Sequence, residues 1–105
     1  MVEISKPTNI RKMGLRGAVI NIPYSAIALL GIEDRVFLTA DGDDLIVSSV
    51  ALGTEPMGTY KVTDAANVHI PSAWGTAHGF VPRKRVRKYL DEIGEHKVLR
   101  LKVEG

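Results

Sequence analysis

The sequence of 105 residues contains no cysteine. This absence excludes disulfide bonds, thiolate metal sites and cysteine nucleophiles, and it is typical of proteins in a reducing compartment. We therefore expect a cytoplasmic protein that folds around an apolar core. With 45% apolar and 25% charged residues, the chain has the composition of a folded domain, or of two very small units that share a core.

The sequence also lacks a hydrophobic run that indicates a membrane helix. Residues 17–32 carry no charge, but this stretch has 16 residues, whereas a spanning helix needs about 20. Asn21 and Pro23 interrupt it, so we interpret it as core. The mixed, polar start of the chain does not resemble a signal peptide. We expect no membrane association.

No pattern typical of a catalytic or metal site is present. His69, His78 and His96 have no ligand spacing relative to one another or to a carboxylate. We interpret His78 and Trp74 as packing residues. There is no Gly-rich phosphate loop, no Ser-His-Asp set and no pair of carboxylates typical of acid-base chemistry. We expect neither an enzyme nor a cofactor.

Excess positive charge is small but concentrated. The net charge is +2; residues 1–52 contain 5 basic and 6 acidic side chains, and residues 53–105 contain 9 and 6. Five of the six residues in 83–88 are basic. A second cluster, Arg11, Lys12 and Arg16, has no acidic neighbour between positions 4 and 32. Two basic patches on a nearly neutral protein indicate contact with a polyanion.

The first half predicts two hairpins on either side of a short helix. An irregular edge strand over 3–13 and a turn at 14–17 precede the strand 18–22, which ends before Pro23. The helix 24–30 follows this proline and ends at Gly31. Strands at 34–40 and 44–50 then pair around Asp41-Gly42.

The second half predicts the same order after a linker at 51–59. Strands at 60–64 and 67–70 flank a turn, and Pro71 and Gly79 bound a helix over 72–78. The segment 82–94 fits a helix or a strand. Because its arginines come first and its acids last, a helix here would oppose its own dipole. We predict a strand paired with 96–103, with its arginines facing outward.

The two halves share a frame in which Ile22-Pro23 matches Ile70-Pro71 and Gly31 matches Gly79. The stretch "INIPYSAIALLGIEDRVFLTADGDDLIV" resembles the SpoVT/AbrB family of swapped-hairpin domains, whose core is a strand ending in Ile-Pro and a short helix ending in Leu-Gly-Ile. The second copy begins "HIPSAWGTAHGF". The resemblance implies a mainly β protein, a swapped-hairpin barrel of two tandem ββαββ repeats with one short helix each. Repeats 1–50 and 60–105 would together form one pseudo-dimeric barrel.

The same resemblance implies a DNA-binding transcriptional regulator or architectural protein that contacts double-stranded DNA through basic hairpin surfaces. Neither predicted helix carries the basic residues that DNA-binding members have there. The predicted nucleic-acid-binding residues are Arg11, Lys12, Arg16, Lys61, Arg83, Lys84, Arg85 and Arg87. Two alternatives remain open: residues 83–88 as a charged edge strand that discourages edge pairing, and the first cluster as a solvated loop.

The first predicted helix favours another function. Its residues 24–30 leave almost no polar face, and a helix that is apolar all round is usually buried. We therefore predict that a second copy or a partner protein covers Tyr24, Ile27, Leu29 and Leu30. The alternative function is a protein-interaction module, such as an antitoxin or assembly factor, that kept the barrel and lost DNA binding.

Overall fold

The protein is mainly β, with antiparallel strands and two short helices in the residues that the computed structural model describes, 1–14, 17–53 and 57–104. The strands are β1 (Val2–Glu3), β2 (Thr8–Asn9), β3 (Arg11–Met13), β4 (Gly17–Asn21), β5 (Arg35–Asp41), β6 (Asp44–Ser48), β7 (Gly58–Lys61), β8 (Asn67–His69), β9 (Arg85–Ile93) and β10 (His96–Val103). The helices are α1 (Tyr24–Leu30) and α2 (Ser72–His78). Within these ranges, neither helix has the length and apolar content needed to cross a membrane.

Both helices begin and end where the sequence predicts. Each follows an extended proline, Pro23 with ψ 138° and Pro71 with ψ 120°. Each ends at a left-handed glycine, Gly31 with φ 68° and Gly79 with φ 82°. Proline has no N–H to lose at a helix start, and glycine has no Cβ that would clash with the backbone at positive φ. The predicted bounds of both helices are therefore confirmed.

Two long hairpins form the centre of the larger sheet. In β5–β6 the register places Asp41 opposite Asp44, around Gly42 at φ 61°. In β9–β10 it places Ile93 opposite His96, around Gly94 at φ 61°. The strand prediction for 82–94 is therefore confirmed from residue 85 onward.

The larger sheet contains strands from both halves of the chain. Its order is β1-β9-β10-β6-β5-β7, with β2 also paired to β9, and a second sheet has the order β3-β4-β8. The two hairpins meet at β6 and β10, where Ile46 lies opposite Arg100. In the second sheet Ile20 of β4 lies opposite Val68 of β8. Each sheet therefore needs both halves.

The predicted closed barrel is wrong for the described residues. The larger sheet ends at β1 on one side and β7 on the other, and it remains open. Closure would need a continuous strand where the sequence predicts one over 3–13. This segment instead divides into three short strands, and β2 pairs with β9 while β3 pairs with β4. The partner strand changes at Ile10, from β9 before it to β4 after it, so no continuous ladder joins the two sheets.

One apolar cluster joins the two halves. Val36, Leu38 and Leu45 of the first hairpin and Leu99 and Leu101 of the second are fully buried in it. Of the predicted linker, Gly58 and Thr59 already belong to β7, and residues 54–56 lie outside the described residues. The halves therefore share a core.

Of the alternatives for residues 83–88, the charged edge strand is wrong, because β9 has neighbours on both sides. It pairs with β10 along one side and with β1 and β2 along the other. Lys88 lies opposite Leu101 and is only 1% exposed, on the core side of the strand with Val86. Burial lowers the pKa of Lys88 to about 8.

Candidate nucleic-acid interface

Two of the basic segments that the sequence singles out lie side by side. Asn9 of β2 is the register partner of Arg85 in β9. The next residue, Ile10, donates its N–H to the carbonyl of Lys84 at 2.8 Å and accepts the N–H of Arg83 at 2.8 Å. Arg11 follows immediately, so the fold brings this arginine beside residues 83–85.

A tight turn presents Arg83. The N–H of Lys84 donates to the carbonyl of Val81 at 3.2 Å, which closes a four-residue turn with Pro82 at its second position. Arg83 occupies the third position with φ 76°. Type II turns place a residue with positive φ there, and glycine is preferred because it has no Cβ. Arg83 and Lys84 are both exposed.

An open groove of about 670 Å³ lies beside Arg11 and Arg85. It is lined by Pro7, Thr8, Asn9, Arg11, Asn21, Ala65 and Arg85. The amide of Asn21 donates to the carbonyl of Ala65 at 3.1 Å, which fixes one wall. Guanidinium, amide and hydroxyl groups are the donors that contact phosphates and base edges. The groove therefore has the chemistry of a polyanion site.

One face of the smaller sheet carries polar residues beside the groove, but it is buried at Val19 and Asn67. Arg11, Val19 and His69 occupy one row across β3, β4 and β8, and Asn21 and Asn67 occupy the row two residues along. Because strand side chains alternate between faces, all five share one face. Within the described ranges, the buried side-chain oxygen of Asn67 accepts no hydrogen bond.

Arg85 and Arg87 differ in how tightly they are held. Arg85 lies 3.3 Å from Glu104 and its side chain is 60% exposed, and exposed pairs of this kind stabilise little. Arg87 instead donates to Glu3 at 2.9 Å and to Glu104 at 2.9 Å, and these hydrogen bonds raise its pKa. Arg87 is therefore committed to ion pairs within the chain, whereas Arg85 is available.

Lys12 and Lys61 do not line the groove. Lys12 lies opposite Ala18, on the alternate face of β3 from Arg11. Arg16 lies outside the described residues. Lys61 is exposed on β7, where its register partner is Arg35 of β5. The structure thus assembles Arg11, Arg83, Lys84 and Arg85, and places Lys61 at a second basic pair.

Arg35, which completes this second basic pair with Lys61, is a residue that the sequence analysis missed. It stands three residues after Ile32, whereas Arg85 stands five residues after the matching Phe80. An alignment on the two Ile-Pro pairs therefore does not match the arginines. Arg35 and Arg85 each begin a long strand that follows a helix. This shared position was the signal in the sequence that could have matched them.

The most connected charged cluster belongs to the sheet scaffold. Arg100 donates to Asp91 at 2.8 Å, to Asp44 at 2.8 Å and to Asp41 at 2.9 Å, and it is 13% exposed. The hydrogen bond from Arg100 lowers the pKa of Asp91. Lys102 also contacts Asp44 at 2.8 Å. Because its cations are neutralised, this cluster offers little to an anion.

Among the described residues, no three His, Asp or Glu side chains come together in a way that would hold a metal ion. A scan against family models and searches of curated proteins and of solved structures find no match to this chain.

Proposed function

We propose that this chain is a cytoplasmic nucleic-acid-binding protein, a transcriptional regulator or architectural protein of the AbrB type that contacts the phosphates of double-stranded DNA. The observation that carries the proposal is that backbone hydrogen bonds bring residues 83–85 beside Arg11, and that Arg11 and Arg85 line one groove. We call these four residues the arginine side. Segments more than 70 positions apart in sequence bring four cations together there.

The arginine side has the properties that phosphate binding requires. Its four side chains belong to exposed residues. Among the residues that the structure describes, they make one ion pair, from Arg85 to Glu104, with the nitrogen and oxygen 3.3 Å apart. Lys and Arg side chains that neutralise phosphates release condensed counterions, so each contact adds affinity that falls with salt. The adjacent amides of Asn9 and Asn21 supply hydrogen bonds to base edges or sugar.

The strand pairing supports the tandem swapped-hairpin part of the proposal. A strand from the second half, β7, pairs with β5 of the first, and β2 of the first pairs with β9 of the second. The family resemblance implies that two ββαββ units interlock and that hairpins from both build one structure. We propose that each unit completes the other within one chain.

Salt-dependent binding tests the proposal directly. We expect a labelled random-sequence duplex to bind with roughly micromolar affinity at about 50 mM salt, and to weaken steeply by about 300 mM, as phosphate contacts require. Fluorescence anisotropy measures both quantities. Arg11→Ala should weaken binding and flatten the salt dependence, whereas Lys97→Ala, which removes one exposed charge from β10, should leave both unchanged. A duplex that does not bind at low salt would contradict the proposal.

The exposed face of α1 favours a second candidate function, a protein-interaction module. Tyr24 is 70% exposed and Leu29 is 51% exposed, and exposed apolar patches often mark contacts with other proteins. Leu30, which the sequence predicts at such a contact, is 7% exposed and packs in the core because it lies on the inner face. The available surface is therefore narrower than predicted.

Light scattering distinguishes self-association through α1 from a monomer. If a second copy covers α1, the molar mass should rise with concentration, and Leu29→Ser should restore the monomer. Met13→Ser provides the matched control, since Met13 is 46% exposed and lies on β3. A monomer at all concentrations would reject self-association through this helix.

A further inference from the structure

We propose that the chain holds its nucleic acid through one side only, so that its footprint on the duplex lacks two-fold symmetry. This inference rests on the proposed function and adds to it the polarity of binding. The arginine side has a structural counterpart in the larger sheet, where β7 pairs with β5. The two differ in charge, and that difference carries the inference.

Hydrogen bonds establish which residues correspond. Asn9 is the register partner of Arg85, and Lys61 is the register partner of Arg35. The next pair continues the correspondence. Ile10 donates to the carbonyl of Lys84 at 2.8 Å, and Val62 donates to the carbonyl of Asp34 at 2.8 Å.

Correspondence therefore places Glu33, Asp34 and Arg35 where the arginine side has Arg83, Lys84 and Arg85, and Thr63 where it has Arg11. We call Glu33, Asp34, Arg35 and Lys61 the mixed side. The arginine side carries four positive charges. On the mixed side two positive charges face two negative charges, which cancel.

Exposure makes this difference relevant to a ligand. All four residues of the mixed side are exposed. Glu33 and Asp34 make no ion pair with another residue in the ranges that the structure describes. Their carboxylates would therefore repel a phosphate backbone, whereas Arg83 and Lys84 at the corresponding positions would attract it.

The backbone differs at the same place. The arginine side has two more residues between its helix and its strand, and they form the turn that holds Arg83 at φ 76°. A non-glycine residue in the left-handed region is unfavourable and is typical of functional positions. The mixed side has no room for such a turn, because Ile32 and Arg35 are only three positions apart.

Symmetry of the protein and symmetry of its DNA site normally correspond. A two-fold dimer presents the same contacts to both half-sites, so it selects a palindrome. Here one side attracts phosphate and the other does not. We therefore expect a footprint on one half of what a symmetric dimer would cover, and a salt slope of about four contacts or fewer.

Paired charge removal tests the inference. Arg83→Ala/Lys84→Ala on the arginine side should weaken duplex binding by ~50-fold or more near 100 mM salt, since each lost contact accounts for nearly tenfold there. Arg35→Ala/Lys61→Ala, which removes the same charge from the mixed side, should change affinity by less than about threefold. Anisotropy gives both values, and circular dichroism confirms that each variant is folded.

Two outcomes separate failure of the inference from failure of the function. If both double variants weaken binding equally, the protein uses both sides and the inference is wrong, although the proposed function stands. If the unmodified chain binds no duplex at low salt, the proposed function fails and the inference fails with it. A third variant sharpens the result: Glu33→Arg/Asp34→Lys should create a second attractive side and steepen the salt slope by about two contacts.

Discussion

The strands β5 and β9 have the same position in the two halves but differ in chemistry. Leu38 and Lys88 lie at the corresponding place: the carbonyl of Leu38 accepts the N–H of Met57 at 2.7 Å, and that of Lys88 accepts the N–H of Ile4 at 3.0 Å. Both side chains face the core, and both residues are almost fully buried. A leucine satisfies this environment, whereas burial of a lysine disfavours the charged form of its amine.

The backbone pattern that β5 and β9 share does not require the same side chains in both strands. Hydrogen bonding fixes where each strand lies, and the apolar cluster accepts one unusual residue when enough others fill it. The same holds on the surface, where acids in one half correspond to bases in the other. A side chain that differs between corresponding positions of β5 and β9 therefore indicates either a functional residue or a residue that destabilises the fold without preventing it.

The largest effect is expected from making β9 like β5 with Lys88→Leu. Burial lowers the pKa of Lys88 in the folded protein to about 8, from 10.5 in the unfolded chain. Below pH 8 the amine is charged in both states, so folding carries the full desolvation penalty. We expect the substitution to raise the free energy of unfolding at pH 7 by ~2–3 kcal/mol, measured by urea denaturation.

The pH dependence has a definite sign. Between pH 8 and 10.5 the unfolded chain binds more protons than the folded one, so the lysine protein should become more stable as pH rises. The gap between it and Lys88→Leu should therefore narrow toward pH 10.5. Leu38→Lys is the reciprocal control and should destabilise by a similar amount at pH 7. A gap that stays constant with pH would contradict the assignment.

A smaller effect is expected at the turn that distinguishes the arginine side. Arg83→Gly should raise the free energy of unfolding by ~0.5–1 kcal/mol, because glycine adopts positive φ without strain. It should also weaken duplex binding by roughly tenfold through the lost charge. Urea denaturation and anisotropy on the same preparation measure the two changes.

Ala66→Gly separates strain from charge in that experiment. Ala66 also has positive φ, at 60°, but it carries no charge. Because the methyl group of Ala66 is buried, its loss should offset the relief of strain, so we expect a stability change within roughly 0.5 kcal/mol of zero and unchanged affinity for the duplex. If Arg83→Gly lowers stability instead, the turn is held by its arginine and not merely tolerant of it.

The helices and hairpins could be predicted from sequence because their signals are local. Pro23, Gly31 and the Gly42 turn act within a few residues, and so the bounds of α1 agree with the pattern. The barrel prediction failed because closure depends on long-range pairing. Nothing in residues 3–13 indicates that Ile10 binds the backbone at 83–84 while its neighbour Arg11 pairs with β4.

The sequence predicted which basic residues belong to the candidate site, but not which of them are free to bind a ligand. Charge density identifies residues 83–88, yet only the structure separates Arg85, which is available, from Arg87, which is held by Glu3 and Glu104. Alternation along β9 also places Lys88 in the core, although the sequence counts it with its basic neighbours. Partners distant in the chain decide what each charge can do.

The smallest effect is expected at the ends of the two helices, where His78 corresponds to Leu30. His78 stacks on Trp74 with ring centroids 4.6 Å apart, and its Nδ1 lies 2.8 Å from Asp43 in the turn of the first hairpin. The Asp43 side chain is 89% exposed, so water competes for this contact. We expect Asp43→Asn to change the free energy of unfolding by about 0.5 kcal/mol or less.

His78→Leu, measured beside Asp43→Asn by urea denaturation, completes this comparison. It makes α2 like α1, removes the contact with Asp43 and keeps an apolar surface against Trp74. Because packing replaces stacking, the net change should also stay within roughly 1 kcal/mol. A loss well above that value would mean that the histidine clamps α2 to the first hairpin. The two halves would then depend on each other through a polar contact as well as through the shared core and the paired strands.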